Sequence, residues 1–541
     1  MLQPENQTKK YDFLFADIDS GRIKIPKFQR DFVWTKEQTS KLIDSIIKGF
    51  PIGTFILWKT TEQLRHVKNI GNITLPDPPS GEPVSYVLDG QQRITSLYAV
   101  RKGIRITKEE QEIDYKDISI NLDLDPDADE QVVTVDPPED VAFISVHHLL
   151  NSDLTDLFDK YDREHIKKID TYKKRLTTYD FSTIVISNYP LDIACEVFTR
   201  INTGGTELTL FEIMVAKTFD SERNFDLSDR YSKLIDNKNN GKDLEDADFD
   251  TIPASTVLQC VSACLVRQIR RRDILKLNKE DFIFTWPKVT DAIFSAVDFF
   301  RTYLRVPVSQ LLPYNALIVP LTYFFYKNNG KPPSDNQAKW LVQLFYWASL
   351  STRYSSGTEN KMAQDIERVE CILRDEAPSY RGDEVTLTME NLRYRWFSAG
   401  DAFCKTILCL YAYHIPLSFD NNSLVKIDNS WLKTTSSKNY HHFFPRSYLR
   451  NCGIPDWQAN SVLNITIVDD RLNKQKIKAK APSDYMTGFL KNKKIVETMQ
   501  SHLIDNLELF GIWENNYETF LTERGKRVLV ELNKRLNPDI D

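Results

Sequence analysis

Several things are scarce in this 541-residue chain, and each shortage closes off a class of protein. Cysteine occurs seven times (195, 260, 264, 371, 404, 409 and 452), an odd number scattered over the whole length. That argues against a disulfide framework or a cysteine-based zinc module. Cys260–Cys264 and Cys404–Cys409 sit in apolar helical context, where buried free thiols are expected. No apolar run approaches the roughly 18–20 uncharged residues of a membrane span. The N-terminal stretch MLQPENQTKKYDF is polar and lacks the apolar heart of a secretory signal, so a cytoplasmic protein without a membrane partner is expected. Positive charge is not in excess either. With 70 Lys and Arg against 76 Asp and Glu, the net charge is −6, and any contact with nucleic acid must come from a local basic patch. There is no internal repeat and no low-complexity tract.

What remains is the composition of a soluble globular chain, 41% hydrophobic and 27% charged, long enough for two to four domains. To about residue 220, short strands and helices mix. Leu42, Ile43, Ile46 and Ile47 repeat at a helical period before Gly49. PIGTFILW and VSYVLDG are predicted strands, and QQRITSLYAVRKG a helix ending at Gly103. DLDPDADEQVVTVDPPED has loop chemistry without the carboxylate spacing of a calcium loop, so an exposed loop or ragged hairpin is expected. Residues 221–420 are predicted to be largely helical, with a break at FFYKNNGKPPSDNQAKW. From 421 to 541 strand and loop alternate before C-terminal helices. The expected fold class is therefore α+β and multidomain.

The stretch YVLDGQQRITSL raises the first chemical question. A strand ends in Asp89-Gly90 and a helix opens at once on Gln91, Gln92 and Arg93. The first N–H groups of such a helix lack partners and face the turn, with the positive end of the dipole behind them. Gly90 allows close approach of a phosphate, and Arg93 can fork onto its oxygens. Asp89 can hold a metal ion or polarise a water. A capped helix with Arg93 paired to Asp89 explains the same residues, so the turn alone leaves both readings open. Two further polar turns, Gln29-Arg30 in IPKFQRDFVW and Asn202-Thr203-Gly204-Gly205 in FTRINTGGTELTLFE, suggest a shared cleft.

Taken together, IPKFQRDFVWTKEQTSKLIDSIIKGFPIGTFILW, VLDGQQRITSL and FTRINTGGTELTLFEIMVAK resemble the N-terminal domain of GmrSD-type proteins. These are modification-dependent (type IV) restriction endonucleases, with relatives that include SspE of phosphorothioate-sensing defence. The resemblance covers residues 1–220 and implies a ParB/sulfiredoxin-like α/β fold. It also implies binding and hydrolysis of a nucleoside triphosphate (GTP, ATP or another) at Asp89, Gly90, Gln91, Gln92 and Arg93, with Gln29 and Arg30 nearby. Arg93→Ala is then expected to lose nucleotide turnover and keep the fold.

Histidine is scarce as well, eight in all, yet two adjacent pairs occur. His147–His148 has no partner motif and takes no role. His441–His442 is followed by Phe-Phe-Pro and then by Asn464 and Asn473. DNA hydrolysis needs a base to activate water and a divalent cation on the scissile phosphate. Adjacent histidines at an irregular strand end can divide those tasks, with asparagines orienting the base and completing the metal site. A satisfied histidine pair with two turn asparagines is the bland alternative. HHFFPRSYL followed by NSVLNITIVDDRLNKQKIKAKAPSDYM resembles the HNH (ββα-metal) nuclease module fused C-terminally in GmrSD-type proteins. By that resemblance His442 is the base, Asn464 positions it, and His441 and Asn473 hold Mg²⁺ or Mn²⁺. A base of unperturbed proton affinity makes cleavage fall as pH drops through about 6.5.

Between Asp470 and Lys494 stand eight Lys and Arg against two acids. Arg471, Lys474, Lys476, Lys478 and Lys480 are the candidate DNA contacts. VRQIRRRDILKLNK (266–279) is a second basic stretch, expected as a solvated helical face. The expected function is nucleotide-regulated cleavage of foreign double-stranded DNA carrying modified bases or backbone, in anti-phage defence, with self-association left open. The competing expectations are a non-cleaving nucleotide-dependent DNA sensor, and a DNA-processing nuclease that senses no modification.

Overall fold

The computed structural model describes residues 3–538 apart from 27–28, 30–31, 63, 65, 68, 71–72, 77, 79–80, 109–110, 136, 138–140, 202–208, 221, 239–240, 381–384, 386, 430–439 and 470–471. The chain forms two compact units, Met1–Leu227 and Ser228–Asp541. The expected regions 221–420 and 421–541 both fall almost wholly within the second.

A mixed six-stranded sheet organises the first unit. Its strands are β1 (Glu5–Lys10), β2 (Ile23–Pro26), β3 (Phe55–Thr60), β4 (His66–Val67), β5 (Val84–Asp89) and β6 (Asp180–Ser187), in the order β1-β6-β3-β5-β2-β4. β6 with β3 and β5 with β2 run parallel, and the other neighbours antiparallel. The central strands β3 and β5 carry the apolar runs FILW and VSYVL, as flanked strands must. Their register slips between Ile56 and Leu57, beside Asp89.

Among its helices are α1 (Tyr11–Asp19), α2 (Lys36–Ile47), α3 (Gln91–Lys102) and α4 (Arg163–Thr177). A capping box between Thr35 and Gln38 starts α2, and its periodic Leu42, Ile43, Ile46 and Ile47 are all buried. They join Phe15, Phe55, Val87, Leu97 and Tyr172 in one core, each such side chain contributing about 1.5–3 kcal/mol. In the acidic stretch, Val133–Thr134 pairs with Ser119–Ile120, and Asp127 accepts a two-bond fork from Arg175 at 2.7 and 2.8 Å.

The second unit opens as a helical assembly: α5 (Ala254–Val266), α6 (Lys279–Thr302), α7 (Ile318–Lys327), α8 (Asp335–Leu350), α9 (Thr358–Leu373) and α10 (Ala402–Tyr413). Gly330 at φ 70° and a Ser334–Gln337 capping box separate α7 from α8, where the sequence breaks. Aromatic contacts such as Phe300–Phe345, with ring centres 6.0 Å apart, bind these helices. After them come β7 (Tyr440–His442), α11 (Arg446–Asn451), β8 (Ile465–Ile467), α12 (Pro482–Phe489) and α13 (Tyr517–Leu536). β7 and β8 pair antiparallel, His441 opposite Thr466 and His442 opposite Ile465.

The architecture is thus mixed α+β, a sheet-containing first unit and a mainly helical second. Cys195, Cys260, Cys264, Cys404 and Cys409 are buried free thiols, and burial pushes Cys260 and Cys404 up to about 12. Among the described residues no helix is long and apolar enough to cross a membrane.

Candidate functional site

The Asp89–Arg93 turn has the shape the sequence implies. Gly90 takes φ 90° at the end of β5, and no side chain caps α3 behind it. A Cβ at Gly90 would stand 2.4 Å from Phe55 Cδ1, so only glycine fits. The first bond of the helix runs from Ile94 N to Gly90 O. The amides of Gln91, Gln92 and Arg93 therefore lie ahead of it, at the positive end of the helix dipole, in the geometry that suits an anion.

Arg93 bonds to the fold around it. Its Nη1 donates to Ile52 O at 2.7 Å, and its Nη2 donates to Thr54 O at 3.1 Å and to Asp89 Oδ2 at 3.0 Å. Its guanidinium also lies 5.1 Å from the centre of the Phe55 ring. Burial depresses its proton affinity and the Asp89 charge restores part of it. Arg93 ties the 52–54 loop, where Gly53 stands at φ 86°, to the start of α3.

The neighbouring glutamines are likewise committed. Gln29 Nε2 donates to Val87 O and Leu88 O at 2.9 and 3.0 Å, binding its loop to β5. Gln92 Oε1 accepts from Val33 N at 2.9 Å, and its Nε2 donates to Gln91 Oε1 at 3.1 Å. So Gln29, Asp89, Gly90, Gln91, Gln92 and Arg93 do come together around one turn. Arg30, Asn202, Thr203, Gly204 and Gly205 lie outside the described residues. His147, which has no assigned role, bonds the Arg101 carbonyl through Nδ1 at 2.9 Å.

In the second unit, His441 and His442 end β7. Burial is the main cause that holds both neutral, His441 down to about 3 and His442 to about 4. For His442 the bond to Asn460 opposes that shift, while Arg446 adds to it and Asp456 opposes it. The pH at which His442 would charge is thus far below the 6.5 expected of an unperturbed ring. His441 is 4% exposed, and its Nδ1 is buried without a hydrogen-bond partner.

The residue that meets His442 is Asn460. Its Oδ1 lies 2.7 Å from His442 Nε2, while its Nδ2 donates to Phe397 O at 3.0 Å. The second bond fixes the amide with oxygen toward the imidazole. Nε2 must then carry the proton, and Nδ1 keeps the lone pair.

Asn464, the residue expected in that role, faces elsewhere. Its Oδ1 accepts from Phe444 N at 2.8 Å, and its Nδ2 donates to Phe444 O and Ala459 O, both at 2.9 Å. It clamps the chain just after the histidine pair. Two buried bonds lock the turn that carries it, Arg524 Nη1 to Leu463 O at 2.7 Å and Tyr411 Oη to Val462 O at 3.3 Å. The spacing signal was ambiguous because Asn460 and Asn464 stand four apart in QANSVLN. Their partners tell them apart, among them the Phe397 carbonyl, 63 residues from Asn460 in sequence.

With this geometry in hand, likeness to known proteins can be placed on it. Residues 12–219 match the N-terminal domain of the GmrSD restriction endonucleases. The matched region contains the whole Asp89–Arg93 turn. Across its full length the chain is similar to an uncharacterized protein of Methanocaldococcus jannaschii, 26% identical over 619 aligned positions that cover 98% of this chain and 99% of that one. The likeness to that archaeal protein therefore runs through both units.

The side chains of Asn473 and Lys474, and all of Arg471, lie outside the described residues. Lys476 pairs with Asp420 at 2.5 Å, whereas Lys478 and Lys480 are exposed. Among the described residues no three His, Cys, Asp or Glu side chains converge on a point that could hold a metal. In the second basic stretch, Arg267 pairs with Glu370 at 2.9 Å and Arg270 donates to the neutral Asn360 amide at 2.6 Å, while Arg270, Arg271, Arg272 and Lys276 are exposed.

Proposed function

We propose that the chain is a restriction-type DNA endonuclease whose cutting centre is the His441–His442 pair and whose first unit binds a regulatory nucleotide. The observation that carries the reading is the His442 Nε2–Asn460 Oδ1 contact at 2.7 Å, which presents a neutral imidazole with its Nδ1 lone pair available. In an HNH-like centre, His442 would take the proton of the attacking water on Nδ1, with Asn460 holding the ring while it becomes cationic. The orphaned Nδ1 of buried His441 fits a ligand nitrogen, and Asn473 would be its companion by the HNH resemblance. A divalent cation held there would polarise the scissile phosphate and stabilise the charge that develops on it. Those two neutral donors bring no formal charge, so water and phosphate would complete the site. The exposed Lys478 and Lys480 would receive backbone phosphates.

The match of residues 12–219 to a restriction-endonuclease domain supports the defence role. In the first unit, the start of α3 behind Gly90 would receive a nucleotide phosphate at the positive end of the helix dipole, with Asp89 beside it to orient water. Arg93 then holds the turn in shape and does not itself grip the phosphate. Modified phage DNA is the proposed substrate, and a ParB/sulfiredoxin-like fold is the proposed ancestry of the nucleotide site. The test is digestion of plain and modified DNA with Mg²⁺ or Mn²⁺, with and without each nucleoside triphosphate. Cleavage that disappears in His442→Ala supports the reading. Cleavage that survives in that variant, or that appears under none of these conditions, sinks it.

A further inference from the structure

Large aromatics are normally spent on the core, because each buries 150–250 Å² of surface. Trp396 and Trp457 are the two exposed tryptophans among the described residues, at 47% and 54%, and they lie in one patch with Tyr394, also 47% exposed. The patch is built. Trp396 bridges Ser461 antiparallel, Phe397 N donates to Asn460 O at 2.8 Å, and Val462 N donates to Arg395 O at 3.0 Å. Those bonds set the Tyr394 and Trp457 rings 5.8 Å apart, inclined at 44°. The guanidinium of Arg446 lies 6.0 Å from the Trp396 ring. Arg446 and Arg450 share the single carboxylate of Asp456, which leaves one positive charge in excess at the edge of the rings.

Exposed aromatic faces beside an excess of arginine charge suit bases on a phosphate backbone, the rings stacking on the bases and the cation meeting the phosphates. The location sharpens this. Asn460, the partner of His442, is bonded through its side chain to Phe397 O, next to Trp396 in the chain. We propose that Tyr394, Trp396 and Trp457, flanked by Arg446 and Arg450, form a stacking platform that holds an unpaired nucleobase of a DNA strand beside His442. In a duplex every base face is already stacked, so the platform selects a strand that is open, frayed or has a base turned outward. The placement beside a cutting centre rests on the hydrolase reading above, but the stacking does not.

The experiment reads binding alone, with the full chain in EDTA. A labelled DNA strand of about a dozen nucleotides, the span one stacking groove covers, is compared with its blunt duplex by fluorescence anisotropy. Tryptophan emission is followed in the same titration. The expected result is tighter binding of the single strand, with quenched tryptophan emission. Trp396→Ala and Trp457→Ala should each weaken single-strand binding about tenfold, the loss of one stacked base. Trp457→Phe, which keeps a ring, should stay within about threefold of the native chain. Three outcomes would overturn the proposal: alanine variants that bind the single strand normally, a duplex bound as tightly as the strand, or tighter binding of the same sequence as RNA. A chain that binds in this way but never cuts would refute the hydrolase reading and leave the platform standing.

Discussion

Asn460 Oδ1 meets His442 Nε2 at 2.7 Å, while Asn464, four residues on, spends its whole amide on Phe444 and Ala459. Two asparagines of the same loop thus divide the labour, one facing the His442 ring and one holding the loop. The first consequence concerns the tautomer of His442. Nitrogen-15 spectra of the imidazole should show the Nε2–H form in the native chain and a mixture in Asn460→Ala. Cleavage by that variant should fall about ten- to a hundredfold, as happens when an outer partner of a site residue is removed. Asn460→Asp keeps an acceptor and should keep the tautomer. Native and Asn460→Ala spectra that coincide would show that the contact sets nothing.

Asn464→Ala should behave differently. It strands Phe444 N, Phe444 O and Ala459 O in a buried loop, each at about 1–3 kcal/mol. The second unit should lose roughly 3 kcal/mol or more in urea unfolding, while the cutting rate per folded molecule changes little. A variant of native stability with a collapsed rate would instead restore Asn464 to the role the HNH resemblance implied.

These two residues also mark what the sequence could and could not reveal. The periodic Leu42, Ile43, Ile46 and Ile47, the helix stop at Gly103 and the break before Ser334 were legible because each is a local signal with a local cause. The Asp89–Arg93 turn was legible as a shape. The Arg93–Asp89 pair was one of the two readings it allowed, whereas the bonds from Arg93 to Ile52 O and Thr54 O were hidden, since those carbonyls lie about forty residues earlier in the chain. Asn460 was hidden for the same reason, its amide being fixed by a carbonyl at Phe397. Partners brought together by tertiary packing leave no spacing to read. The burial of His441 and His442 is likewise a property of the packed unit, and it moves the charging of the His442 ring from the expected 6.5 to about 4.

Arg93 gives the third prediction. Its guanidinium serves three acceptors, Ile52 O, Thr54 O and Asp89 Oδ2, and lies against Phe55. Lysine is a point donor on a flexible stem and cannot reproduce that fork. Arg93→Ala and Arg93→Lys should therefore both destabilise the first unit, by about 2–4 kcal/mol, since charged hydrogen bonds contribute about 1.5–3 kcal/mol apiece and some are replaced by water. Thermal unfolding monitored with a probe in the first unit measures it. Unchanged stability together with lost nucleotide binding would instead make Arg93 the phosphate ligand.

The last prediction follows from His502, which lies far from any proposed chemistry in sequence. Its ring is buried, its Nε2 donates to Leu417 O at 2.8 Å, and it stands edge-on to Phe419 with ring centres 5.0 Å apart. Burial, opposed by the Leu417 bond and aided by the charge of Arg524, depresses it to about 4. In the unfolded chain the same ring takes its proton near 6.5. Between those two values the unfolded state binds more protons than the folded one, so stability is full above about 6.5 and drains away as pH falls toward 4. Each pH unit in that window removes up to about 1.4 kcal/mol through this ring, or roughly 2 kcal/mol between pH 7 and 5. Buried His441 and His442 drain stability in the same direction, so the native slope alone cannot assign the effect. His502→Gln keeps a donor for Leu417 but cannot titrate. Urea unfolding at pH 7 and pH 5 should show the native second unit losing about 2 kcal/mol more than the variant over that interval. Equal losses in the two chains would mean that His502 reaches water before the unit unfolds, and that its burial does not govern acid stability.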